Sequence, residues 1–599
     1  MISAAQSYGS ISLCLGRASC RATVSRPLCL SFSSSSASDP SVRVRYAPSP
    51  TGTLHLGGLR TALFNFLFAR RHGGAFLLRI EDTDRARTVP GAVESIERAL
   101  TWAGLEPDES PSHGGEFGPY TQSERLPRYA AAAAELVSRG AAYRCFCTPE
   151  RLAAVRTAAA TATGGKTAMP YDGLCAHLTP ATAAARAAAG EVHVIRLRVP
   201  PGETRVRDTL LGSIIFSHDV IDDAVLLKSD GWPTYHLASV VDDAAMRISH
   251  VIRGQEWVAS TPKHVLLYAA LGLKQPVWVH LPLLLNADRS KLSKRAGAAS
   301  VEDFRVAGFS PEALVDYCAT LGWTPPLPQR GTVHTLASLA SSFDLSALHK
   351  SGAIVDRARL ENVANEHIKS VVVRTLLAVA PLALGPAKAR ASVDSTTANP
   401  LLALREGALP LHVSDTPAMA KLRSRVVEFL PPQLVSRVSV ENLNAILVAQ
   451  HERVRAFTGF IPLVVPFLLR GADAEFIEHL RAPSAVEARS RVIKAVARGG
   501  VGGGADGLLF SMNLATAARD VHARWIELSP ETFATGSNAI DCIKSAAVSA
   551  SLQPSKLMLP LRWALTGLDA GASLTDTLHL LGKEESIARI QVALSLEGK

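Results

Sequence analysis

The chain has 599 residues, of which 47% are hydrophobic and 19% are charged, and its formal net charge is +10. This length is too great for a single hydrophobic core and predicts about three to five domains. The composition is globular and contains no run of about 20 uninterrupted apolar residues, so it predicts no membrane span. The excess of basic residues is compatible with a polyanionic partner such as nucleic acid, although many basic proteins bind none.

The first 38 residues differ in composition from the rest of the chain. They contain Arg17, Arg21 and Arg26 and a run of serines at 33–36, and no acidic residue precedes Asp39. Arginine- and serine-containing segments that lack acidic residues are typical of mitochondrial and chloroplast transit peptides. We therefore expect residues 1–38 to direct import into a mitochondrion, a chloroplast or both. The alternative is a tail without function.

Strand and helix signals alternate from residue 42 onwards. Residues 42–46 have the alternation of a strand, the prolines and glycine of 47–52 predict a loop, and 59–71 have helical periodicity. A buried strand at 76–80 and a helix at 93–102 continue the pattern. Such an order predicts a parallel, doubly wound sheet.

The middle of the chain interrupts this pattern. Residues 126–211 are rich in alanine and arginine and indicate an insertion. Strand signals at 225–227 and 250–253, and a helix at 261–271 that has proline at its start and glycine after its end, show the first pattern resuming. Beyond about residue 336 helical patterns dominate, so we expect a mainly α second half.

Two short motifs suit nucleotide chemistry. Residues 47–58 place His55, Gly57 and Gly58 at the start of a helix that follows a strand, where unpaired backbone amides attract phosphate. Lys291, Lys294 and Arg295 fall in one polar loop. Each motif alone has an ordinary explanation, because the first could be a plain turn and the second a solvated surface.

In this order, the two motifs resemble the "HIGH" and "KMSKS" signatures of the class I aminoacyl-tRNA synthetases. Four further stretches are similar to the glutamyl type of that family, namely 45–52, 79–84, 226–238 and 250–257. A looser similarity reaches 350–353 and 560–567. The resemblance implies a multidomain α/β and all-α protein, in which a Rossmann-type catalytic domain with an inserted acceptor-binding domain precedes an α-helical anticodon-binding region.

The resemblance also implies a role for each predicted segment. Residues 39–125 and 212–300 would form the catalytic domain, and 126–211 the inserted domain that binds the tRNA acceptor end. Residues 301–370 would form a helical domain that contacts the tRNA stem, and 371–599 the anticodon-binding region.

The implied reaction has two steps, attack of the glutamate carboxylate on the α-phosphate of ATP and transfer of the glutamyl group to the terminal ribose of tRNA. Such chemistry depends on positioning and on stabilising negative charge. By resemblance His55, Lys291 and Lys294 are catalytic, and Mg²⁺ accompanies the phosphates. The implied ATP-binding residues are His55, Gly57, Gly58, Glu256, Lys291, Leu292, Ser293, Lys294 and Arg295.

Glutamate has two carboxylates and one ammonium, so a selective pocket needs at least two cations and one anion. By resemblance, Arg45 with Tyr235 binds the side-chain carboxylate, Arg253 binds the α-carboxylate, and Glu81 with Ser49 binds the ammonium; arginine suits carboxylates because its planar fork can donate twice. The implied glutamate-binding residues are Arg45, Tyr46, Ala47, Ser49, Glu81, Tyr235, His236, Leu237, Ala238, Ser239 and Arg253. The alternative for Arg45 or Glu81 is a surface ion pair.

Two positions depart from the family's pattern. Ser239 stands where the family often has asparagine, and Gln255 stands where an acidic residue is common. The contacts that the family makes at these positions are therefore not carried over to this chain.

A third group of residues suits a metal ion. Cys145 and Cys147 are followed by Cys175 and His177, and two such pairs match a closed, tetrahedral zinc site of the structural kind. The alternative is three buried thiols and a surface histidine.

The expected partners are ATP, L-glutamate and tRNA(Glu), with organellar tRNA(Gln) as a further candidate, and we expect a monomer. Three other functions were weighed. A tRNA-modifying glutamyl transferase lacks a long helical second half, and a non-catalytic tRNA-binding scaffold has no need of phosphate-handling residues. A small-molecule nucleotidyltransferase leaves the helical half unexplained.

Overall fold

The computed structural model describes residues 42–162, 171–292, 300–328, 333–384, 417–430, 432–436, 438–450, 454, 461–468, 479, 485, 488, 512–534, 537–550, 552–568 and 572–595. The predicted import segment 1–38 and the predicted ATP-binding residues Ser293, Lys294 and Arg295 lie outside these ranges. In the part of the chain that the structure describes, no helix is both long enough and apolar enough to cross a membrane.

The strands, in chain order, are β1 (Arg43–Tyr46), β2 (Ala75–Leu78), β3 (Ala142–Cys145), β4 (Val194–Leu197), β5 (Glu203–Asp208), β6 (Gly212–Ser217), β7 (Val225–Leu227), β8 (His250–Gly254), β9 (Val277–Leu281), β10 (Leu284–Leu285) and β11 (Ala353–Ile354). The helices that accompany them are α1 (Leu56–Arg71), α2 (Ala92–Trp102), α3 (Leu126–Ser138), α4 (Pro149–Ala162), α5 (Pro180–Ala188), α6 (Tyr235–Ala245), α7 (Thr261–Leu271), α8 (Val301–Val306), α9 (Pro311–Ala319), α10 (Leu336–Ser342) and α11 (Arg357–Leu384). Short 3-10 helices include Gln122–Arg125, Leu174–His177 and Gln255–Ser260.

The second half is helical where it is described. Its helices are Pro417–Val427, Pro432–Val435, Val440–Gln450, Ile461–Leu468, Met512–Glu527, Pro530–Ala534, Ser537–Ser549, Pro554–Thr566 and Leu574–Ser595. Their apolar faces form one core, in which Trp525 and Trp563 are almost fully buried. The predicted order, an α/β part followed by an all-α part, is confirmed.

The α/β half contains two pairs of parallel strands. β1 pairs with β2 in parallel, and β8 pairs with β9 in parallel over five residues. The amide of Ser249, just before β8, donates to the carbonyl of Arg43 in β1 over 2.9 Å, which joins the two pairs. Three of the four residues of β1 are buried, as expected for a parallel strand covered on both faces.

Local sequence signals explain where the flanking helices begin and end. Helix α7 has Pro262 in its first turn, and Gly272 ends it in the left-handed conformation with φ of 68°. Helix α9 begins after Ser310, whose hydroxyl accepts from the amide of Ala313. The predicted helix at 261–271 is therefore confirmed, together with the proline at its start and the glycine after its end.

The boundary expected between residues 211 and 212 falls inside a hairpin. β5 and β6 pair in antiparallel fashion from Glu203 opposite Ser217 to Asp208 opposite Gly212. β5 also pairs with β9, so this hairpin extends the sheet that contains β8. β7 instead pairs with β4 in the sheet β3–β4–β7. β5, which falls in the predicted insertion, therefore belongs to the sheet of β8 and β9. β7, which falls in the predicted catalytic segment, belongs to the sheet of β3 and β4.

Candidate active site

One cavity of about 470 Å³ opens beside the ends of β1 and β8 and the start of α1. Residues from both predicted motifs line it, with His55 from the first and Lys291 from the second. Arg45, Glu81 and Arg253 line the same cavity. The predicted residues found in its wall are Arg45, Tyr46, Ala47, Ser49, His55, Gly57, Gly58, Glu81, Tyr235, Arg253, Glu256, Lys291 and Leu292.

The first motif forms the start of α1. His55 is the N-cap of this helix, and its Nδ1 accepts from the amide of Gly58 over 3.0 Å. A neutral imidazole that accepts at Nδ1 carries its proton on Nε2. Gly58 has no space for a side chain, since an added Cβ would lie 2.5 Å from the Tyr46 hydroxyl. The result is a half-buried histidine beside a helix N-terminus, a place that favours negative charge.

A buried ion network forms the other end of the cavity. Arg45 donates to both carboxylate oxygens of Asp243, through Nε at 2.9 Å and Nη2 at 3.2 Å. Arg79 donates to Asp243 at 2.6 Å and to Glu81 at 3.0 Å. All four side chains are buried. The expected alternative of a surface ion pair for Arg45 or Glu81 is therefore wrong.

Asp242, the neighbour of Asp243 in α6, has its own set of donors. Its carboxylate accepts from Gln122 Nε2 at 2.9 Å, Arg125 Nε at 2.6 Å and the Tyr129 hydroxyl at 2.7 Å. Buried charges require such pairing because desolvation is otherwise costly. These contacts fasten α6 to the Gln122–Arg125 helix and to α3, and they hold Asp243 in place beneath Arg45.

Burial and charge act in opposite directions on the two carboxyl groups of this network. Burial raises the pKa of Glu81, although Arg79 and Arg45 oppose that change. Burial acts to raise the pKa of Asp243 as well, but the charges of Arg45 and Arg79 outweigh it, and the pKa is lowered. Asp243 is consequently the firmly ionised partner of the arginines, and Glu81 is the more readily protonated group.

Arg253, on β8, contacts a different kind of partner. Its Nε donates to His280 Nε2 at 3.1 Å, and its Nη1 donates to the Tyr235 hydroxyl at 2.8 Å. Its Nη2 donates to the Thr261 hydroxyl at 2.9 Å, and a longer contact of 3.3 Å joins Nη1 to His264 Nδ1. Among the described residues, every group that accepts from this buried guanidinium is neutral, which leaves its charge available to a substrate carboxylate.

The histidines around Arg253 are held in the neutral state by their surroundings. Burial lowers the pKa of His280 and lowers that of His264 further below the ordinary range, and Arg253 acts in the same direction on both. Burial likewise lowers the pKa of His236, whose Nδ1 lies 3.2 Å from His264 Nε2, to about 4. Neutral rings can accept from Arg253, whereas imidazolium rings could not.

Four predicted glutamate-binding residues are absent from the cavity wall, namely His236, Leu237, Ala238 and Ser239. All four lie on α6 behind Tyr235, where helical geometry turns them towards neighbouring elements. Leu237 and Ala238 are fully buried in the core, and the Ser239 hydroxyl lies 3.5 Å from Asp243. Gln255, the second departure from the family's pattern, is also outside the wall.

Several residues of this end were missed in the sequence. Asp242 and Asp243 stand together in an otherwise apolar helix, and two acids on a buried helix imply buried cations nearby. That signal was present and pointed to Arg79 and Arg125. The buried Arg60, which lines the cavity and donates to the carbonyl of Pro282 over 2.7 Å, carried no comparable signal.

The cysteines of the predicted metal site come together away from this cavity. The sulfur atoms of Cys145, Cys147 and Cys175 all lie within 4.8 Å of one another, and those of Cys147 and Cys175 are 3.6 Å apart. Sulfurs that share one tetrahedral zinc lie about 3.8 Å apart, so the three thiols fit that ion.

The predicted fourth ligand is not brought into this group. His177 ends the Leu174–His177 helix with an exposed side chain, and the cluster of ligand atoms in the described chain does not include it. The Tyr171 hydroxyl lies instead 3.3 Å from the sulfur of Cys145 and 3.2 Å from that of Cys147. The sequence pattern thus predicted the three clustered thiols and missed the tyrosine beside them.

Comparisons with known proteins point to one enzyme family. Residues 41–362 match the family model of the class I tRNA synthetase (E and Q) catalytic domain, and residues 528–594 match an anticodon-binding domain. The glutamate–tRNA ligase of Chloroherpeton thalassium is 49% identical over 340 residues, which cover 56% of this chain and 67% of that protein. The glutamate–tRNA ligase of Clostridioides difficile is 48% identical over 337 residues, or 55% of this chain and 67% of that protein.

A solved structure is similar over nearly the full length. The crystal structure of a glutamate tRNA ligase from Elizabethkingia meningosepticum, in complex with its amino acid, has a TM-score of 0.69 and 29% identity over 93% of this chain and 100% of that one. The chain therefore belongs to the class I tRNA synthetases of the glutamate and glutamine type. Because these relatives are glutamate–tRNA ligases, the predicted glutamyl type and the ligase class are confirmed.

Proposed function

We propose that this chain joins L-glutamate to tRNA(Glu) at the expense of ATP, through a glutamyl-adenylate intermediate, for protein synthesis in an organelle. The observation that carries the ligase part is one cavity with two chemically different ends. One end offers fixed, buried groups for glutamate, and the other offers His55, Lys291 and the first amides of α1 for the phosphates of ATP.

The residues at the glutamate end would hold the substrate by complementary charges. Arg45 has five N–H groups and gives two to Asp243, so three remain for the side-chain carboxylate. Glu81 would accept from the substrate ammonium, and Arg253 would donate to the α-carboxylate. Ser49, which is exposed at the rim, would contact the ammonium as well.

In the first step an oxygen of the α-carboxylate attacks the α-phosphorus of ATP, and the bond to the leaving pyrophosphate breaks. The protein positions the two reactants and stabilises the growing negative charge. His55 and Lys291 would do this for the phosphates, and Lys294 is proposed as a further cation from outside the described residues. Mg²⁺ bound to the phosphates supplies additional positive charge. In the second step a hydroxyl of the terminal ribose attacks the acyl carbon and releases AMP.

Hydrogen-bond donors favour glutamate over glutamine. The Tyr235 hydroxyl accepts from Arg253, so its own proton is available to the cavity, and burial raises the pKa of Tyr235 and keeps it protonated. Arg45 can only donate. A carboxylate, which only accepts, satisfies both groups. A carboxamide would turn its NH₂ group, also a donor, towards one of them.

Aminoacylation tests this function directly. Full-length protein would be incubated with ATP, radiolabelled L-glutamate and purified tRNA, and acid-precipitable label would be counted. We expect charging of tRNA(Glu), with AMP and pyrophosphate as products. Absence of charging by folded protein, with fresh tRNA that a control synthetase can charge, would contradict the proposal.

We further propose tRNA contacts from three regions. The 528–594 match supports anticodon binding by the helical half, and by position we assign the acceptor end to 126–211 and the stem to 301–370. Charging of organellar tRNA(Gln) with glutamate in the same assay would show that the enzyme does not discriminate between the two tRNAs. We propose a monomer, which light scattering of the free protein tests.

A structural zinc ion is proposed for Cys145, Cys147 and Cys175. Bound there, zinc would stabilise the insertion by crosslinking β3 to the Leu174–His177 helix. Metal analysis of purified protein should find about one zinc per chain, lost in a Cys147→Ser variant. Because His177 stands apart from the sulfurs, a His177→Ala variant should keep its zinc. Loss of zinc in that variant would return His177 to the ligand set.

Organelle import is proposed from the composition of residues 1–38. Three arginines, many serines and the absence of acidic residues before Asp39 support it. A fluorescent protein that carries this segment should accumulate in mitochondria, in chloroplasts or in both, and the location decides between them. A reporter that stays in the cytosol would contradict the proposal.

A further inference from the structure

Two residues outside the cavity wall support the Nε side of Arg253. His280, on β9, accepts from Arg253 Nε at 3.1 Å, and Asp208, at the end of β5, lies 2.7 Å from His280 Nδ1. His280 is 1% exposed and Asp208 is 5% exposed. Neither residue lines the cavity, so neither contacts the substrate proposed for it.

The direction of every hydrogen bond in this series is fixed. Arginine Nε only donates, so His280 Nε2 must be the unprotonated nitrogen. The Asp208 carboxylate only accepts, so His280 Nδ1 must carry the proton. The two neighbours therefore impose one tautomer of a neutral imidazole, a state that the lowered pKa of His280 also favours.

Asp208 is itself held rigidly by the fold. One of its oxygens accepts from the amides of Leu210 and Leu211, at 2.8 and 2.7 Å, in the turn that leads to β6. The other accepts from the amide of His280 at 3.0 Å in addition to the ring. Asp208 is also the residue at which β5 pairs with β9. Backbone groups of this turn and of β9 thus set the position of the carboxylate.

The opposite edge of the same guanidinium meets the cavity. Nη1 donates to Tyr235, and Nη2 lies 3.4 Å from the carbonyl of Trp257; both of these residues line the cavity. A guanidinium fixed at Nε presents its two Nη atoms in a single orientation, which lowers the entropy cost of binding a carboxylate.

We propose that Asp208 and His280 are positioning residues for amino-acid recognition, which act by fixing Arg253 Nε so that the Nη1–Nη2 edge of the guanidinium is turned towards the α-carboxylate, which would replace its longer contacts to His264 and Trp257. The inference rests on the proposed function, since it presumes that Arg253 binds this group. It assigns a role in glutamate affinity to a hairpin residue that the amino acid does not touch.

The test compares two substitutions of one residue. His280→Gln keeps an acceptor near Arg253 Nε, whereas His280→Leu removes it. We expect the Leu variant to raise the KM for glutamate at least ~10-fold, with kcat and the KM for ATP little changed, and the Gln variant to restore most of the affinity. His218→Leu, which replaces a buried histidine of the 3-10 helix His218–Val220 that is likewise absent from the wall, is the matched control and should leave the KM for glutamate unchanged.

A ligand without the α-carboxylate separates positioning from general damage. 4-Aminobutanoate retains the amine and the distal carboxylate, and we expect its inhibition constant against glutamate to be equal in wild type and His280→Leu. Equal weakening of both ligands, or a wild-type KM in the Leu variant, would overturn the proposal. Failure of the unsubstituted enzyme to charge glutamate would instead count against the proposed function.

Discussion

The two ends of the cavity are built in contrasting ways. At the glutamate end, Arg45, Arg79, Glu81 and Asp243 are buried and linked to one another at 2.6 to 3.2 Å. At the phosphate end, Lys291 is exposed and His55 is half-buried at the open start of α1. Under the proposed function, amino-acid choice would depend on groups fixed before binding, whereas the phosphates would meet groups that remain accessible to solvent.

Substitution of Asp243 should have the largest effect, because it removes the anion shared by Arg45 and Arg79. Breaking a buried pair on one side costs about 3–5 kcal/mol. We expect Asp243→Asn to lower the free energy of unfolding by that amount and kcat/KM for glutamate by ~10³-fold. Denaturant unfolding and pyrophosphate exchange measure the two effects.

Asp541→Asn is the control for this variant, because Asp541 is an exposed residue of the helical half that pairs with Lys544 at 2.8 Å. Exposed pairs contribute little to stability. If Asp243→Asn lowered the free energy of unfolding and kcat/KM no more than Asp541→Asn does, the ion network would not fix the groups of the glutamate end.

His55→Ala tests the phosphate end. Loss of a group that stabilises charge in the transition state lowers kcat about 100- to 1,000-fold, and we expect the KM for glutamate to stay constant. The same change removes the cap of α1, at about 1 kcal/mol. His55→Asn keeps a capping oxygen without an imidazole. Its free energy of unfolding should therefore return to the wild-type value, while kcat stays low. Recovery of kcat in the Asn variant would assign His55 to capping alone.

Tyr235→Phe sharpens the account of selectivity. The variant lacks the hydroxyl that accepts from Arg253 and donates to the cavity. We expect the preference for glutamate over glutamine, measured as the ratio of kcat/KM values, to fall by roughly tenfold or more. An unchanged ratio would mean that this hydroxyl does not contribute to the choice of side chain.

The smallest effect follows from acidification. Burial raises the pKa of Glu81, and only its ionised form accepts from the substrate ammonium. As the pH falls through this raised pKa, Glu81 becomes protonated, and the KM for glutamate should rise at a higher pH than an exposed glutamate would allow. Glu81→Gln should have a high KM that does not vary over the same range. A parallel pH dependence in the two proteins would exclude Glu81 as the titrating group.

The fold was largely predictable because its signals are local. Buried parallel strands give short apolar runs, and Pro262 and Gly272 mark the ends of α7 within a few residues. β5 was misplaced because its alternating, arginine-containing pattern matches the composition of the preceding insertion. Only its pairing with β9, about seventy residues later, assigns it to the catalytic sheet.

The site was predictable only in part, for a related reason. His55, Lys291 and Arg45 stand in recognisable motifs, whereas Asp243 is separated from Arg45 by 198 residues and Asp208 from His280 by 72. No local periodicity encodes such partners. The motifs thus located groups that line the cavity, and only the folded chain revealed the residues that hold them.

A comparison of the activation rates of glutamate and glutamine tests the central claim most directly. Pyrophosphate exchange would be measured for the wild-type protein with each amino acid, in the presence and absence of tRNA(Glu). Because Arg45 and Tyr235 would offer only donors to the substrate side chain, we expect glutamate to be activated at least ~10³-fold more efficiently than glutamine. Comparable rates for the two amino acids would contradict the claim that fixed donors select a carboxylate.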